Sequence, residues 1–244
     1  MFLVTTHEEM KQRGWTQLDI ILITSDAYID SPYMGVSVVG RVLEHAGYKV
    51  GIIGQPDVKS DVDITRLGEP RLFWGVSGGS VDSMVSNYTA TKKIRNSDDY
   101  TPGGINNKRP DRASLVYTNL IRQHFKNTVP IMLGGIEASL RRVTHYDFWS
   151  NKLRKPVIFD AKADILSYGM GEKSMVQLAR AIEKGESYKD IRGLCYIDKE
   201  KKDELDKLNS SLEIKIKDEV EKNRLFQEKL FKADKLASMG EMMS

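Results

Sequence analysis

The chain has 244 residues, of which 40% are hydrophobic, so it can build one α/β domain with a sizeable core and a further segment. Its 37 basic and 34 acidic residues nearly balance at a net charge of +3, which gives no reason to expect nucleic acid or an anionic membrane as a partner. No apolar run reaches the length of a membrane span, and residues 1–15 lack the basic-then-apolar order of a secretory signal. These features predict a cytoplasmic protein.

Residues 18–57 have the pattern of a strand, a loop, a helix and a second strand. The run at 19–24 is almost continuously apolar, which is typical of a strand covered on both faces. Residues 37–46 carry apolar side chains at helical spacing, and Gly47 ends that helix before a strand at 49–53. Such a unit indicates two parallel strands joined by a right-handed crossover, and ligands of such sheets sit at the carboxyl ends of the strands.

The same order of strand, loop and helix recurs along the chain. Further strands are predicted at 72–76, 130–133, 164–167 and 192–197, and further helices at 81–88, 113–125 and 175–182. The connection at 89–112 is polar, turn-rich and long, as functional or mobile loops often are. The recurring order predicts an α/β fold with an open, doubly wound, mainly parallel sheet of the Rossmann-like kind.

Three of the predicted strands end in turns that contain glycine. These turns are Ser77-Gly78-Gly79, Gly134-Gly135 and Gly169-Met170-Gly171, the last followed by Glu172. Glycine allows a ligand or a neighbouring backbone to come close, and the helix that follows each turn favours an anion at its amino terminus. Tight turns that bind nothing are the alternative. Neither the dinucleotide G-x-G-x-x-G motif nor the P-loop motif occurs in the sequence.

The loop after the first strand contains Ser25, Asp26, Tyr28 and Asp30, at the edge where ligands of such sheets bind. Two carboxylates four residues apart could share acid–base chemistry or hold a cation. Aspartates in such loops more commonly cap helices and close turns. We therefore treat Asp26 as a candidate catalytic and ligand-binding residue, and favour a structural role for Asp30.

Residues 137–149 form the densest polar cluster in the sequence. The arginines at 141 and 142 suit recognition of carboxylate or phosphate, and Glu137 lies just before them. His145 titrates near neutral pH and could move protons, with Asp147 orienting its ring. The alternative is a solvated helix end followed by an aromatic contact with the core. Glu137, His145 and Asp147 are thus further candidate catalytic residues.

Motifs spread over residues 1–196 resemble one known family. They are TSDAYIDSPYMG, VSGGSVDSMVSNYTA, YTPGG, RPDRA, GGIEASLRRVTHYDFW and DAKADILSYGMGE. This part of the chain resembles the amino-terminal region of the YgiQ family of radical S-adenosylmethionine (radical SAM) proteins. The resemblance implies a cobalamin-binding-like α/β domain that precedes a catalytic barrel. It also implies a [4Fe–4S] cluster and S-adenosylmethionine (SAM) in the full-length protein.

The cysteine content sets a limit on that resemblance. A radical SAM cluster is held by three cysteines in a C-x3-C-x2-C loop, whereas Cys195 is the single cysteine of this sequence. We therefore expect no cofactor and no metal in this chain, and a domain that is catalytically incomplete alone. Cys195 lies in a predicted strand and is expected to be a small buried hydrophobe.

The loops at Gly134-Gly135 and at residues 169–172 resemble loops that border the corrin ring in cobalamin-binding radical SAM proteins. The D-x-H-x-x-G signature that supplies a histidine ligand to cobalt is absent. A corrinoid bound through histidine is therefore not expected, and a corrinoid without that ligand, or none, remains open.

Residues 199–235 contain neither glycine nor proline and alternate charges with a stripe of apolar residues, Leu205, Leu208, Leu212, Ile216 and Val220. This pattern predicts a long C-terminal helix that pairs with a second copy as a coiled coil. Residues 199–244 also resemble the helix that leads into the dimerisation domain of sensor histidine kinases, and a plain dimerisation helix is the alternative. Two domains are therefore predicted, 1–198 and 199–244.

Three functions remain open at this point. The leading hypothesis is a catalytically incomplete YgiQ-type amino-terminal domain that lacks the cluster loop and is joined to a kinase-like dimerisation helix, with an unknown small molecule as a partner. The first alternative is a ligand-sensing module fused to a kinase-like helix. The second is a stand-alone enzyme that uses Asp26, Glu137, His145 or Asp147.

Overall fold

The computed structural model describes residues 2–198, together with 211, 215, 218, 221, 222 and 224. The chain divides into two compact units, Met1–Tyr196 and Ile197–Ser244. Residues 205, 208, 212, 216 and 220, which form the predicted coiled-coil stripe, lie outside the described residues, as does most of the predicted C-terminal helix.

The first unit alternates strands and helices over most of its length. In chain order its elements are α1 (His7–Gln12), β1 (Ile20–Thr24), α2 (Gly35–His45), β2 (Val50–Gly54), α3 (Val62–Thr65), β3 (Phe73–Ser77), α4 (Ser83–Asn87), α5 (Ala113–His124), β4 (Ile131–Gly134), α6 (Gly135–Leu140), β5 (His145–Asp147), β6 (Lys152–Arg154), α7 (Val157–Asp160), β7 (Ile165–Ser167), α8 (Glu172–Lys184) and β8 (Leu194–Tyr196).

Six strands form one sheet in the order β2-β1-β3-β4-β7-β8. All neighbouring strands are parallel except β8, which runs antiparallel to β7. Every residue of β1 and β3 is buried, as expected for central strands with helices on both faces. The predicted open and mainly parallel α/β sheet is therefore confirmed.

The register aligns the carboxyl ends of the strands. Thr24 of β1 lies beside Gly54 of β2 on one side and Ser77 of β3 on the other, and Ser77 lies beside Gly134 of β4. The strand that follows β1 along the chain, β2, lies on one side of β1, and the next strand, β3, lies on its other side. This reversal is a topological switch point, where parallel sheets leave a crevice between diverging connections.

Helices α2 and α8 pack side by side on one face of the sheet. Their core contacts come from Leu43, Met175 and Leu178, which cluster with Leu22 and Met132 of the strands. Gly47 follows α2 with a φ of +99°, a left-handed conformation that suits the predicted glycine stop. Burial of this apolar cluster fixes the two helix amino termini at the carboxyl edge of the sheet.

The segment between β4 and β7 differs from the sequence expectation. Residues 135–160 fold into α6, the separate two-stranded hairpin β5–β6, and α7, where only a polar cluster was anticipated. Three-residue strands and four- to six-residue helices are too short to show a clear hydrophobic period. Among the described residues, no helix combines the length and the apolar character that crossing a membrane would require.

Candidate functional site

A cleft of about 360 Å³ opens at the switch point, where β1, β3, β4 and β7 end and α2, α6 and α8 begin. Eight of the residues predicted from the sequence to bind a ligand line it. They are Asp26, Ser77, Gly79, Gly134, Gly135, Gly169, Gly171 and Glu172. The loops after four separate strands therefore meet at one site.

The walls of this cleft are mainly apolar. Leu22, Val39, Met132 and Met175 line its interior, and the side chain of Met170 lies largely exposed beside it. Methionine side chains are flexible and polarisable and adapt to irregular apolar ligands. Such a lining favours a molecule with substantial apolar surface.

Two glycines leave space in the cleft that a side chain would fill. A Cβ atom added to Gly134 would come no closer than 3.8 Å to any neighbour, and one added to Gly171 no closer than 3.6 Å. Their nearest neighbours are themselves cleft residues. Gly134 is extended and Gly171 is helical in backbone conformation, so neither requires glycine for its φ angle. Space, rather than backbone strain, is what glycine provides here.

Two long helices point their amino termini at the cleft. Helix α2 begins after Met34 and α8 begins after Gly171, and neither first turn is capped by a side chain. The first backbone N–H groups of a helix lack partners inside it and carry the positive end of the helix dipole. A ligand with an anionic group would meet favourable electrostatics at this edge.

Asp26 lies at the cleft but is fully engaged by protein groups. Its side chain is buried, with Oδ1 accepting a 2.8 Å hydrogen bond from Arg109 Nη2 and Oδ2 accepting a 2.6 Å bond from the Ser80 N–H. Arg109 is equally buried and also contacts Asp98 at 3.3 Å. Burial acts to raise the pKa of Asp98, but its hydrogen bonds, including those from Arg109, lower that pKa overall. Asp26, Arg109 and Asp98 thus form a buried cluster of ion pairs.

Arg109 also fixes the backbone around the cleft. Its Nη1 lies 2.5 Å from the Ser25 hydroxyl and donates to the Gly78 carbonyl at 3.1 Å, and Ser25 donates to that same carbonyl. Gly79 adopts a φ of +97°, and a Cβ there would lie 2.3 Å from Asp26 Oδ1. Gly79 therefore allows the backbone to approach the ion pair of Asp26 and Arg109, and it also lines the cleft.

Glu137 binds two helix amino termini. Its buried carboxylate accepts hydrogen bonds of 2.9 Å from the N–H of Ser83 in α4 and from the N–H of Ser114 in α5. A Cβ on Gly78 would lie 2.6 Å from Glu137 Oε2, so glycine is needed at 78 for this contact. The geometry gives Glu137 a structural role at the start of two helices.

The predicted pairing of His145 with Asp147 is not formed. Asp147 is buried and accepts bonds from Arg112 at 2.7 Å and from Arg154 at 3.1 Å. The Nδ1 of His145 instead lies 3.1 Å from the Val143 carbonyl. Burial acts to raise the pKa of Asp147, but its bonds to Arg112 and Ser150 hold that pKa far below its usual range. Asp147 is therefore an ionised carboxylate that binds Arg112 and Arg154, and it does not orient the ring of His145.

The remaining candidates lie apart from the cleft. Arg141 pairs with Asp82, which caps α4, and Arg142 lies over the ring of Tyr168 at 5.0 Å. The hydroxyl of Tyr28 accepts a 3.1 Å bond from the Leu3 N–H. Tyr28 lines a separate depression.

Sequence reasoning did not single out Arg109 or the apolar walls of the cleft. Arginine is rarely buried, so an arginine in a polar loop gives no sign of its position. In the sequence, the Arg-Pro-Asp-Arg string at 109–112 stands out only as part of a family motif. Met132 and Met175 show only the periodicity of core residues, which cannot distinguish a wall from a core.

The shifted pKa of Asp147 leads to an acid-stability prediction. Because the folded-state pKa lies below the unfolded value of about 3.9, the stabilisation is present above that value and is lost as the pH falls towards the folded pKa. We expect Asp147→Asn to melt at a lower temperature than the wild type at pH 7. The difference in melting temperature should shrink as the pH is lowered below about 4. The exposed aspartate at 190 provides the control Asp190→Asn, which should follow the wild type at every pH.

The fold is that of an open, mainly parallel α/β domain with a cleft at the switch point of its sheet. The chain belongs to the protein family described as radical SAM N-terminal, which it matches over residues 2–240. The match covers most of the segment for which a kinase-like helix was predicted, and the resemblance to histidine kinases gains no support from it.

Close relatives are longer than this chain. It is 64% identical over 202 residues to a UPF0313 protein of Fusobacterium nucleatum, an alignment that covers 82% of this chain and 36% of the relative. It is 54% identical over 226 residues to one of Thermotoga maritima, covering 91% and 39%. It is 58% identical over 191 residues to one of Methanocaldococcus jannaschii, covering 78% and 31%. The chain thus spans between 31% and 39% of these relatives.

A solved structure shares the fold. The radical SAM methyltransferase TsrM of Kitasatospora setae, solved with tryptophan and a SAM analogue, aligns at 18% identity with a TM-score of 0.50 over 75% of this chain and 29% of TsrM. A second TsrM structure, with cobalamin and a [4Fe–4S] cluster, aligns at 17% identity and a TM-score of 0.49, over 76% of this chain and 28% of TsrM. At these identities the first alignment shows a common fold alone.

The chain lacks the three cysteines that hold the cluster of radical SAM proteins. The single cysteine, Cys195, lies half-buried in β8, and burial raises the pKa of its thiol. Within the described part of the chain, no three or more histidine, cysteine or acidic side chains form a group that could hold a metal. None of the four histidines lines the cleft formed by residues 22–175, so no imidazole is placed to ligate cobalt there.

Proposed function

We propose that this chain is the ligand-holding amino-terminal domain of a radical SAM protein. The cluster and SAM would be bound by the part of the longer relatives that lies outside the matched region, because one cysteine cannot hold a cluster. Alone, the chain would bind a small molecule and would not carry out radical chemistry. The family match and the carboxyl-edge cleft support this division of roles.

The cleft is the observation that carries the proposal. It lies at the switch point, where open α/β sheets bind their ligands, and Gly134 and Gly171 leave it unfilled. Its apolar walls and the uncapped amino termini of α2 and α8 favour one class of ligand, a largely apolar molecule that bears an anionic group.

The alternative of a stand-alone enzyme receives less support from the geometry. Asp26, Glu137 and Asp147 each direct their carboxylate oxygens to protein donors, so none is placed as an unoccupied acid or base. No observation on the described residues favours the sensor alternative.

The dye 8-anilinonaphthalene-1-sulfonate, which has a largely apolar aromatic body and one anionic sulfonate, tests the cleft directly. We expect the full chain to bind it with increased fluorescence. Gly171→Leu should weaken binding roughly tenfold or more, because forcing a branched side chain into an occupied site costs at least about 1–3 kcal/mol. Fluorescence titration of the wild type and the variant measures the difference.

The variant Gly171→Ser is the matched control. Serine is small and is a good residue at the start of α8, so it should keep both the affinity for the dye and the melting temperature. Equal dye affinity of the leucine and serine variants would contradict binding in the cleft. So would dye fluorescence that appears only as the protein begins to melt.

A further inference from the structure

Exposed apolar side chains are concentrated in one segment of the domain. Of the sixteen large apolar residues that are exposed among the described residues, nine lie between 136 and 170. Singly scattered exposed apolar residues are normal, whereas a concentration of them marks an interaction surface. We call the exposed side of residues 142–155 the hairpin face, after the β5–β6 hairpin at its centre.

The hairpin has its apolar side outward. Tyr146 and Leu153 are cross-strand partners, and they are 58% and 76% exposed. On β5 the alternate residues turn inward, where Asp147 is buried and His145 is half-buried. A hairpin on a domain surface ordinarily turns its apolar side to the core and its polar side to water. The reversed arrangement indicates that another surface covers Tyr146 and Leu153.

The hairpin is held in place from its inner side. Asp147 joins it to Arg112, which precedes α5, and to Arg154 on the opposite strand. A two-stranded hairpin is only marginally stable alone, so this buried carboxylate fixes its position. The apolar pair is therefore presented on an ordered support, which lowers the entropy cost of binding a partner.

The charges of the hairpin face have one sign. Its exposed charged residues are all basic, namely Arg142, Lys152 and Lys155. Its one acidic residue, Asp147, is buried. A basic rim around an apolar centre complements a surface with an apolar centre and an acidic rim, and it disfavours pairing of this face with itself.

We propose that the hairpin face docks the remaining part of the polypeptide in full-length relatives, through an apolar and acid-rimmed surface on that part. The relatives carry this domain at 54–64% identity within chains of which it spans less than two fifths, so a covalently attached partner is always near. This inference rests on the proposed division of roles, but not on the ligand of the cleft.

Hydroxyl-radical footprinting with mass spectrometry tests the inference on two proteins as they exist. The first is this chain, and the second is the full-length Fusobacterium nucleatum relative. We expect rapid oxidation of Tyr146 and Phe148 in this chain, and several-fold slower oxidation of the aligned segment in the relative. Phe2 and Val62 are exposed outside the hairpin face, and peptides at those positions should react alike in both proteins.

Equal oxidation of the hairpin segment in both proteins would overturn the inference. So would protection in this chain that grows with its own concentration, which would indicate self-association. Flotation of the wild-type chain, but not of Leu153→Glu, with phosphatidylglycerol vesicles would instead assign the face to a membrane surface. Dye binding in the cleft is scored separately, so failure of the cleft proposal and failure of this one can be distinguished.

Discussion

Replacing Arg109 with methionine is expected to lower the free energy of unfolding by about 3–5 kcal/mol, which is the usual cost of removing one partner from a buried ion pair. Asp26 and Asp98 are both buried, and they would lose the guanidinium that lies 2.8 Å from one and 3.3 Å from the other. Methionine fills similar volume, so the loss reports the uncompensated charges rather than a cavity. Urea denaturation at neutral pH measures it.

The control for this prediction is Arg41→Met. Arg41 also bridges two carboxylates, Asp30 and Glu44, but all three side chains are partly exposed. Ion pairs of that kind contribute at most about 1 kcal/mol. If the two variants lost similar stability, the cluster around Arg109 would not be the buried anchor that the structure describes.

Replacing Glu137 with alanine is expected to lower the free energy of unfolding by about 3–5 kcal/mol. Two buried N–H groups, of Ser83 and Ser114, would lose their acceptors, and each unsatisfied buried donor costs about 1–3 kcal/mol. Glu137→Gln keeps the shape and one acceptor oxygen, so it should lose roughly half as much. Urea denaturation of the three proteins would establish the series.

Glu172→Gln provides the comparison, because Glu172 lies in the first turn of α8 and is only half-buried. Removing its charge should cost less than about 1 kcal/mol. A Glu137→Gln variant as stable as the wild type would contradict the structural role of Glu137, and would return that residue to the candidates for chemistry.

The sheet was predictable because its strands are nearly continuous apolar runs bounded by glycine or polar residues. Residues 20–24 and 73–77 both fall within one position of the predicted strands. The strand pairing of β8 was not predictable, since three half-buried residues do not indicate direction. The sequence pattern did not indicate the β5–β6 hairpin, because the apolar residues of this hairpin face outward. That is the reverse of the pattern that identifies a strand on a domain surface.

The site was predictable in position and less so in the role of each residue. Parallel strands end at one edge, which is why the loops at residues 77–79, 134–135 and 169–172 were expected to meet there. Which polar residues face a ligand depends on long-range partners. Asp26 and Glu137 are both acidic residues that follow a predicted strand. Asp26 pairs with an arginine 83 residues away, whereas Glu137 accepts hydrogen bonds from the starts of two helices.

Anaerobic reconstitution with iron and sulfide tests the central claim most directly, when this chain and the full-length Fusobacterium nucleatum relative are treated side by side. On the proposed division of roles, this chain is the ligand-holding domain and the cluster belongs to the remaining part of the longer protein. We predict no stoichiometric iron, sulfide or charge-transfer absorbance on this chain, and a cluster on the relative. A cluster on this chain, with its single cysteine, or none on the relative, would contradict that assignment.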